Sequence, residues 1–231
     1  MKILGFIPAR SGSKELKNKN LKIFDGNPLI YYSIEIGKKN KSITPFVSTD
    51  SKKILNYAKK KGIKFNYLRP KFLSEDNSKV IDAVLHALKW LNKNNLHFDA
   101  VMLLQPTSPI RIQKEIKKII TEFKKKNLQS IASAVEHKDI PDTLKLNKNN
   151  KWRYIIQDKN RSPNRQNYKN KFYTIDGSLY LSKVSFLKKN KSFIDKNNTK
   201  IFISSIYPMV DINNILDFKI AEFLKKKIYR K

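Results

Sequence analysis

Three short polar clusters hold the residues in this chain that could do chemistry. The first, "PARSGSK" (8–14), follows an apolar run and combines a guanidinium at Arg10, an ammonium at Lys14 and a small Ser11-Gly12-Ser13 core. Small residues let a backbone turn tightly and present N–H donors to anionic oxygens, while Arg10 offers a two-pronged fork and Lys14 or Lys19 a point charge. It matches neither Gly-x-Gly-x-x-Gly nor the Gly-x-x-x-x-Gly-Lys-Ser/Thr phosphate loop, so taken alone a solvated basic turn is the simpler account. The second cluster, "VSTD" (47–50), ends in Asp50, which could face a ligand or cap the helix beginning at Ser51. The third, "LLQPTSP" (103–109), places Gln105 where Pro106 stops a ladder; its amide could satisfy backbone there or hydrogen-bond a sugar. Near the C-terminus Asp211, in "VDINNILDF", is a further carboxylate whose simplest role is to cap the last helix. His86, His97 and His137 have no spacing suited to a metal or a catalytic triad, and His86 falls in an apolar helix where packing explains it.

The elements that must position these clusters alternate in period. "KILGFI", "PFVSTD", "IKFNYL", "DAVMLLQ" and "SIASAVE" read as strands; "NPLIYYSIEIGKKN", "SKKILNYAKKKG" and "IKKIITEFKKKN" read as helices. In "NSKVIDAVLHALKWLNKN", Val80, Ile81, Val84, Leu85, Leu88 and Leu91 recur on one face at helical spacing. Such alternation predicts an α/β fold: a three-layer, Rossmann-like arrangement with a mostly parallel sheet. In these sheets ligands bind beyond the carboxyl ends of the strands, and all three clusters fall there. Between 136 and 172 the pattern weakens into a polar, proline-interrupted stretch with one clear strand, "WRYII". Regular structure resumes with "GSLYLSK", "KIFISSIYP" and an amphipathic helix, "NILDFKIAEFLKKKI". The expectation is one domain, 1–231, with an insertion at 136–172.

Composition narrows the function classes. The chain has 231 residues and no cysteine, which excludes disulfides, thiolate metal sites and a cysteine nucleophile. "MKILGFI" is too short for a signal-peptide core, and no apolar run approaches the roughly 18 residues that span a bilayer, so the expectation is a soluble, cytoplasmic protein with no membrane partner. A net charge of +30 invites a nucleic-acid reading. The lysines are spread along the whole chain, however, and accompany heavy use of Asn and Ile, as in compositional bias; no nucleic-acid-binding pattern accompanies them. No nucleic-acid partner is expected.

Taken together, "IPARSGSKELKNKNL", "VSTDS", "YLRP", "LLQPTSPIR", "NRQ", "DGSLYLS" and "VDINNILDFKIAE" resemble, in family order and from end to end, the CMP-N-acylneuraminate synthetases (acylneuraminate cytidylyltransferases). That family activates sialic acid and its bacterial relatives, legionaminate and pseudaminate, with CTP, releasing pyrophosphate. The resemblance implies that Arg10, Ser13 and Lys19 handle the CTP phosphates, Asn20 the nucleotide's sugar or base, and Arg69 the nucleotide side of the pocket. It implies that Gln105 contacts the sugar acid, that Arg165 approaches the substrate from the inserted segment, and that Asp211 coordinates Mg2+ with Asn213 as a neutral neighbour. Arg10, Lys19 and Asp211 would be the catalytic groups, and the insertion would make a homodimer.

Four positions depart from the family pattern. Glu15 stands where a glycine is usual, Asp176-Gly177 where Asn-Gly is more usual, Asp211-x-Asn213 where two aspartates are usual, and Asp142 where some members carry a base. The alternatives in view are a synthase for another sugar acid, such as 3-deoxy-manno-octulosonate, whose enzymes have a different first loop, and a non-catalytic basic protein associated with nucleic acid.

Overall fold

A computed structural model describes residues 1–136, 144–146, 151–154, 171–206 and 210–227. Strand β1 (Ile3–Pro8) is followed by the basic loop and by β2 (Ile23–Phe24) and β3 (Asn27–Pro28), then α1 (Leu29–Lys38), β4 (Ile43–Ser48) and α2 (Lys52–Lys60). Next come α3 (Val80–Lys93), β5 (Ala100–Leu103), α4 (Gln113–Lys125) and β6 (Ser130–Glu136). The segment expected to be inserted contributes a small antiparallel pair, β7 (Leu144–Leu146) and β8 (Trp152–Tyr154). The chain then supplies β9 (Tyr173–Lys183), α5 (Val184–Asn190), β10 (Thr199–Ile203) and α6 (Ile215–Lys227).

The main sheet has six strands in the order β10-β6-β9-β5-β1-β4. β1 runs parallel to β4 and β5, and β6 parallel to β10, while β9 is antiparallel to both its neighbours, β5 and β6. The mostly parallel sheet is therefore present, with one reversed strand near its centre.

Both faces of β1 and β5 are covered, which is why these two strands carry no polar side chain. From β1, Ile3 and Ile7 join one core with α1, α2 and α4, through residues such as Ile34, Ile54 and Ile119. The alternate residues Leu4 and Phe6 join the other core, with α3 and Phe186 and Leu187 of α5. On α3 the predicted stripe holds: Ile81, Val84, Leu88 and Leu91 are buried, with Val80 and Leu85 packed at the margin. Pro45 sits in β4, the edge strand, where a missing N–H is tolerated.

One expected strand is corrected. "IKFNYL" (63–68) buries Ile63 and Tyr67 and exposes Lys64 and Asn66 as alternation requires, but forms an isolated parallel bridge, Thr49 to Leu68, in which the Arg69 amide donates to the Thr49 carbonyl at 2.7 Å. The alternation reported which side faces the core, not that a ladder forms.

Candidate active site

The loop leaving β1 is held open from outside. At the end of β4, Asp50 Oδ1 accepts from the Ser11 amide at 2.8 Å and its Oδ2 from the Ser11 hydroxyl at 2.6 Å. The cap of α2 is instead Ser51, whose hydroxyl accepts from the Ile54 amide at 3.3 Å. Asp50 thus fixes the basic loop to the neighbouring strand. Gly12 has no positive φ, and a Cβ there would meet nothing within 4 Å; the left-handed residue of the loop is Asn18, at φ 56°. The chain still turns tightly about Gly12, where the Ser13 amide donates to the Ser11 carbonyl at 3.1 Å.

Asn18 reverses the chain into a short 3-10 turn, Lys19–Leu21, that aims Lys19 and Asn20 back under the loop. The Asn20 amide is buried and donates to the Arg10 carbonyl at 2.9 Å. Lys19 Nζ donates to the Ile212 carbonyl at 2.9 Å, tying the first loop to the segment before α6. Burial lowers the Lys19 pKa, and nearby Asp211 opposes that shift. Arg69, 6% exposed, donates from Nε to Ser48 Oγ at 3.0 Å, from Nη2 to the Ser48 carbonyl at 2.5 Å and from Nη1 to the Leu73 carbonyl at 3.4 Å. Burial lowers its pKa as well.

These groups converge. Arg10, Ser13, Lys14, Lys19, Asn20, Arg69, Gln105 and Asn213 line one cleft of about 440 Å³ at the carboxyl ends of β1 and β5. Asp211 is exposed behind Asn213, whose Nδ2 donates to Asp211 Oδ2 at 3.1 Å. The cap of α6 is not Asp211 but Asn214: its Oδ1 accepts from the Leu216 and Asp217 amides, while Asp217 Oδ2 accepts from the Asn214 amide, a reciprocal capping pair. Arg165, Asp142 and His137 lie outside the described residues. His86 shares a hydrogen bond of 2.9 Å with Tyr67 Oη, against the core and away from this cleft, in keeping with a packing role.

Two features of the site were not anticipated. Asp76 enters the cleft and meets Arg10 Nη1 at 2.8 Å and Lys14 Nζ at 2.5 Å. The hydrogen bonds from Lys14 and Arg10 hold its carboxyl below the usual carboxylate range. Its signal was available: Glu75-Asp76 is the only pair of adjacent acids in a chain with 19 acids against 49 bases. The second feature is Arg111, beside Gln105. Its Nη2 donates to the Gln105 carbonyl at 2.7 Å, its Nε to the Ser178 carbonyl at 2.8 Å and its Nη1 to Ser33 Oγ at 3.2 Å. Burial pushes Arg111 down to about 9, with Asp176 opposing the shift.

Such a cleft can receive a polyanion on its guanidinium and ammonium groups and a polar ligand at the Gln105 amide. The structure of a CMP:2-keto-3-deoxy-manno-octonic acid synthetase complexed with CTP superposes with a TM-score of 0.70 at 15% identity, covering 98% of this chain and 99% of that one. The fold is therefore that of the Rossmann-like nucleotidyltransferases. Over residues 4–227 the sequence matches the cytidylyltransferase family, and the chain belongs to it. Among curated relatives, the CMP-N,N'-diacetyllegionaminic acid synthase of Legionella pneumophila is 32% identical across 97% of this chain and 96% of its own length. The pseudaminic acid cytidylyltransferase of Campylobacter jejuni is 29% identical across 98% and 97%. No helix among the described residues is long and apolar enough to cross a membrane.

Proposed function

We propose that this cytidylyltransferase joins CMP from CTP to a nonulosonic acid of the legionaminate, pseudaminate or N-acylneuraminate class, releasing pyrophosphate. The observation that carries the reading is the convergence of Arg10, Ser13, Lys19, Asn20, Arg69 and Gln105 on one cleft, where fixed cations and side-chain amides line the same space. The names of the two relatives supply the sugar class.

In this reading the sugar's anomeric hydroxyl attacks the α-phosphorus of CTP in line. The chain's part is positioning and charge neutralisation rather than covalent catalysis. Arg10 forks onto phosphate oxygens, and Ser13 and Lys14 close the loop around them. Lys19 supplies an ammonium whose partly dry surroundings strengthen its pull on developing negative charge. Asn20, pinned by the Arg10 carbonyl, presents its remaining polar atoms to the nucleoside, and Arg69 braces the floor beneath it. Gln105 orients the sugar acid, and Arg165 approaches it from the inserted segment. The phosphates take over Arg10 and Lys14 from Asp76, the carboxylate that both cations share in the ligand-free cleft.

The donor set at 211–213 fits Mg2+. A carboxylate and an amide oxygen are hard ligands, and this ion keeps several waters and leans on substrate phosphates, so one carboxylate can suffice; the Asn213 amide, whose nitrogen now faces Asp211, would turn its oxygen to the ion. When bound there, Mg2+ would neutralise phosphate charge and polarise the reacting phosphoryl group. Asp211 would hold it, with Asn213 as neutral ligand or through water. The insertion, 136–172, would form a two-fold homodimer interface; a monomeric mass by light scattering at micromolar concentration argues against that. A pyrophosphate-release assay with CTP, Mg2+ and a panel of nonulosonic acids tests the whole reading. Turnover is expected with at least one of them; turnover only with 3-deoxy-manno-octulosonate would move the protein to that substrate class.

A further inference from the structure

Gln105 is held at two places by one ring of contacts. Its side-chain Nε2 donates to the Gly177 carbonyl at 3.3 Å, across the junction between β5 and β9. Its own carbonyl accepts from Arg111 Nη2, and the same guanidinium reaches the carbonyl of Ser178, the residue after Gly177. The ring therefore closes from the Gln105 main chain through Arg111 to Ser178, back one residue to Gly177, and across to the Gln105 amide. Gly177 takes φ +70°, a conformation that L side chains rarely adopt, and this turns the strand where the amide docks. From the far side, buried Asp176 accepts from Ser178 N at 3.0 Å, Ser178 Oγ at 2.9 Å and Ser133 Oγ at 2.5 Å, locking the β9 half of the ring to β6.

Among the described residues the three hydrogen-bond acceptors of Arg111 are neutral, two carbonyls and the Ser33 hydroxyl of α1, while buried Asp176 acts on it through charge alone. Enclosing a guanidinium to satisfy neutral groups is a poor way to stabilise a fold, because each contact must offset the loss of water around a charge. What the planar fork provides is angle: three separate acceptors fixed at once, which an ammonium cannot reproduce. We infer that Arg111 is a positioning residue for the transfer reaction, setting the direction in which Gln105 presents its amide to the sugar acid without itself lining the nucleotide cleft. This rests on the reading of Gln105 as the sugar-acid contact.

The test is steady-state kinetics with CTP and whichever nonulosonic acid the enzyme turns over, on Gln105→Ala, Arg111→Lys and the double variant. Gln105→Ala is expected to raise the KM for the sugar acid about tenfold, the loss of one well-placed contact, with the KM for CTP unchanged. Arg111→Lys should do the same to the same constant, and the double variant should be no worse than Gln105→Ala. A sugar KM that rises in Gln105→Ala but not in Arg111→Lys overturns the inference and leaves the Gln105 reading standing. Effects that multiply in the double variant also overturn it. An unchanged sugar KM in Gln105→Ala overturns the Gln105 reading itself. If Arg111→Lys does not fold, Ser33→Ala removes one acceptor and no cleft residue. It should raise the sugar KM about threefold with CTP unaffected, and no rise overturns the inference.

Discussion

Replacing Arg69 with methionine removes a brace and a ligand in one step, and the structure separates the two. Arg69 makes two close hydrogen bonds to Ser48 and a longer one to Leu73, in a site where it is 6% exposed. Hydrogen bonds from a charged donor contribute about 1.5–3 kcal/mol each, so the two close ones set a ceiling near 6 kcal/mol. The ceiling is not reached, because the Ser48 carbonyl keeps a second donor, the Ala9 amide at 2.9 Å, and the Ser48 hydroxyl keeps its side-chain hydrogen bond with Tyr67. A loss of about 2–4 kcal/mol remains, which for a chain of this size lowers the melting midpoint by about 5–15 °C. Arg69→Lys, keeping a charge but not the fork, should recover about half of that. The measurement is a thermal melt without ligand, paired with CTP calorimetry on the folded variants. A ligand-free midpoint within about 1 °C of the parent would refute the brace; an earlier melt with undiminished CTP affinity would remove Arg69 from the nucleotide's contacts.

Arg10→Ala should cost about one to two decades of CTP affinity in calorimetry, and unchanged binding would take the loop out of the site. Asp211→Ala should lower turnover by about 100-fold or more while melting like the parent, because Asn214 caps α6; Asn213→Asp should lower the Mg2+ concentration needed for half-maximal rate in a titration. Normal turnover in Asp211→Ala would sink the metal role. Lys19 is held below its ordinary pKa by burial, so the unfolded chain binds that proton more tightly, and its contribution to stability grows as pH rises from the lowered folded value towards the ordinary one. CTP phosphates should raise that pKa again, so binding at alkaline pH should take up protons, read as a buffer-dependent calorimetric enthalpy that disappears in Lys19→Met.

How much of this was readable in advance varied with the kind of signal. Long periodic segments such as 80–93 announced both their structure and their buried face, since one stripe of apolar residues has only one place to go. The clusters around Arg10 and Gln105 were legible because strand ends in an α/β chain sit together. The reversal of β9 was not, because its apolar alternation is the same in either direction. Nor was the β2–β3 hairpin picked out, although Asp25-Gly26, with φ of 43° and 84°, is the dipeptide that such turns favour. Asp76 and Arg111 were missed for another reason: each acts through a partner 65 or more residues away, Arg10 in one case and Ser178 in the other, and single-residue chemistry does not report pairings at that distance. Asn214 and Asp211 were confused because both are good caps three residues apart, and only the backbone decides which one sits at the start of α6.

The reversed strand also sets an order of events during synthesis. β5 and β6 do not pair; β4-β1-β5 on one side and β6-β10 on the other meet only across β9, whose last residue is Lys183. As the chain leaves the ribosome, the first three strands can close with α1, α2 and α3 around their own apolar faces, while β6 waits some forty residues for a neighbour. The cations of the first loop, Asn20 and Arg69 belong to that early half. Gly177 and Ser178, which hold Gln105 and Arg111, arrive with the strand that zips the halves together. Most of the nucleotide wall is thus laid down before the acceptor side, with Ile212 and Asn213 coming later to anchor Lys19 and complete the cleft, and the seam is the last central strand of the sheet to be inserted.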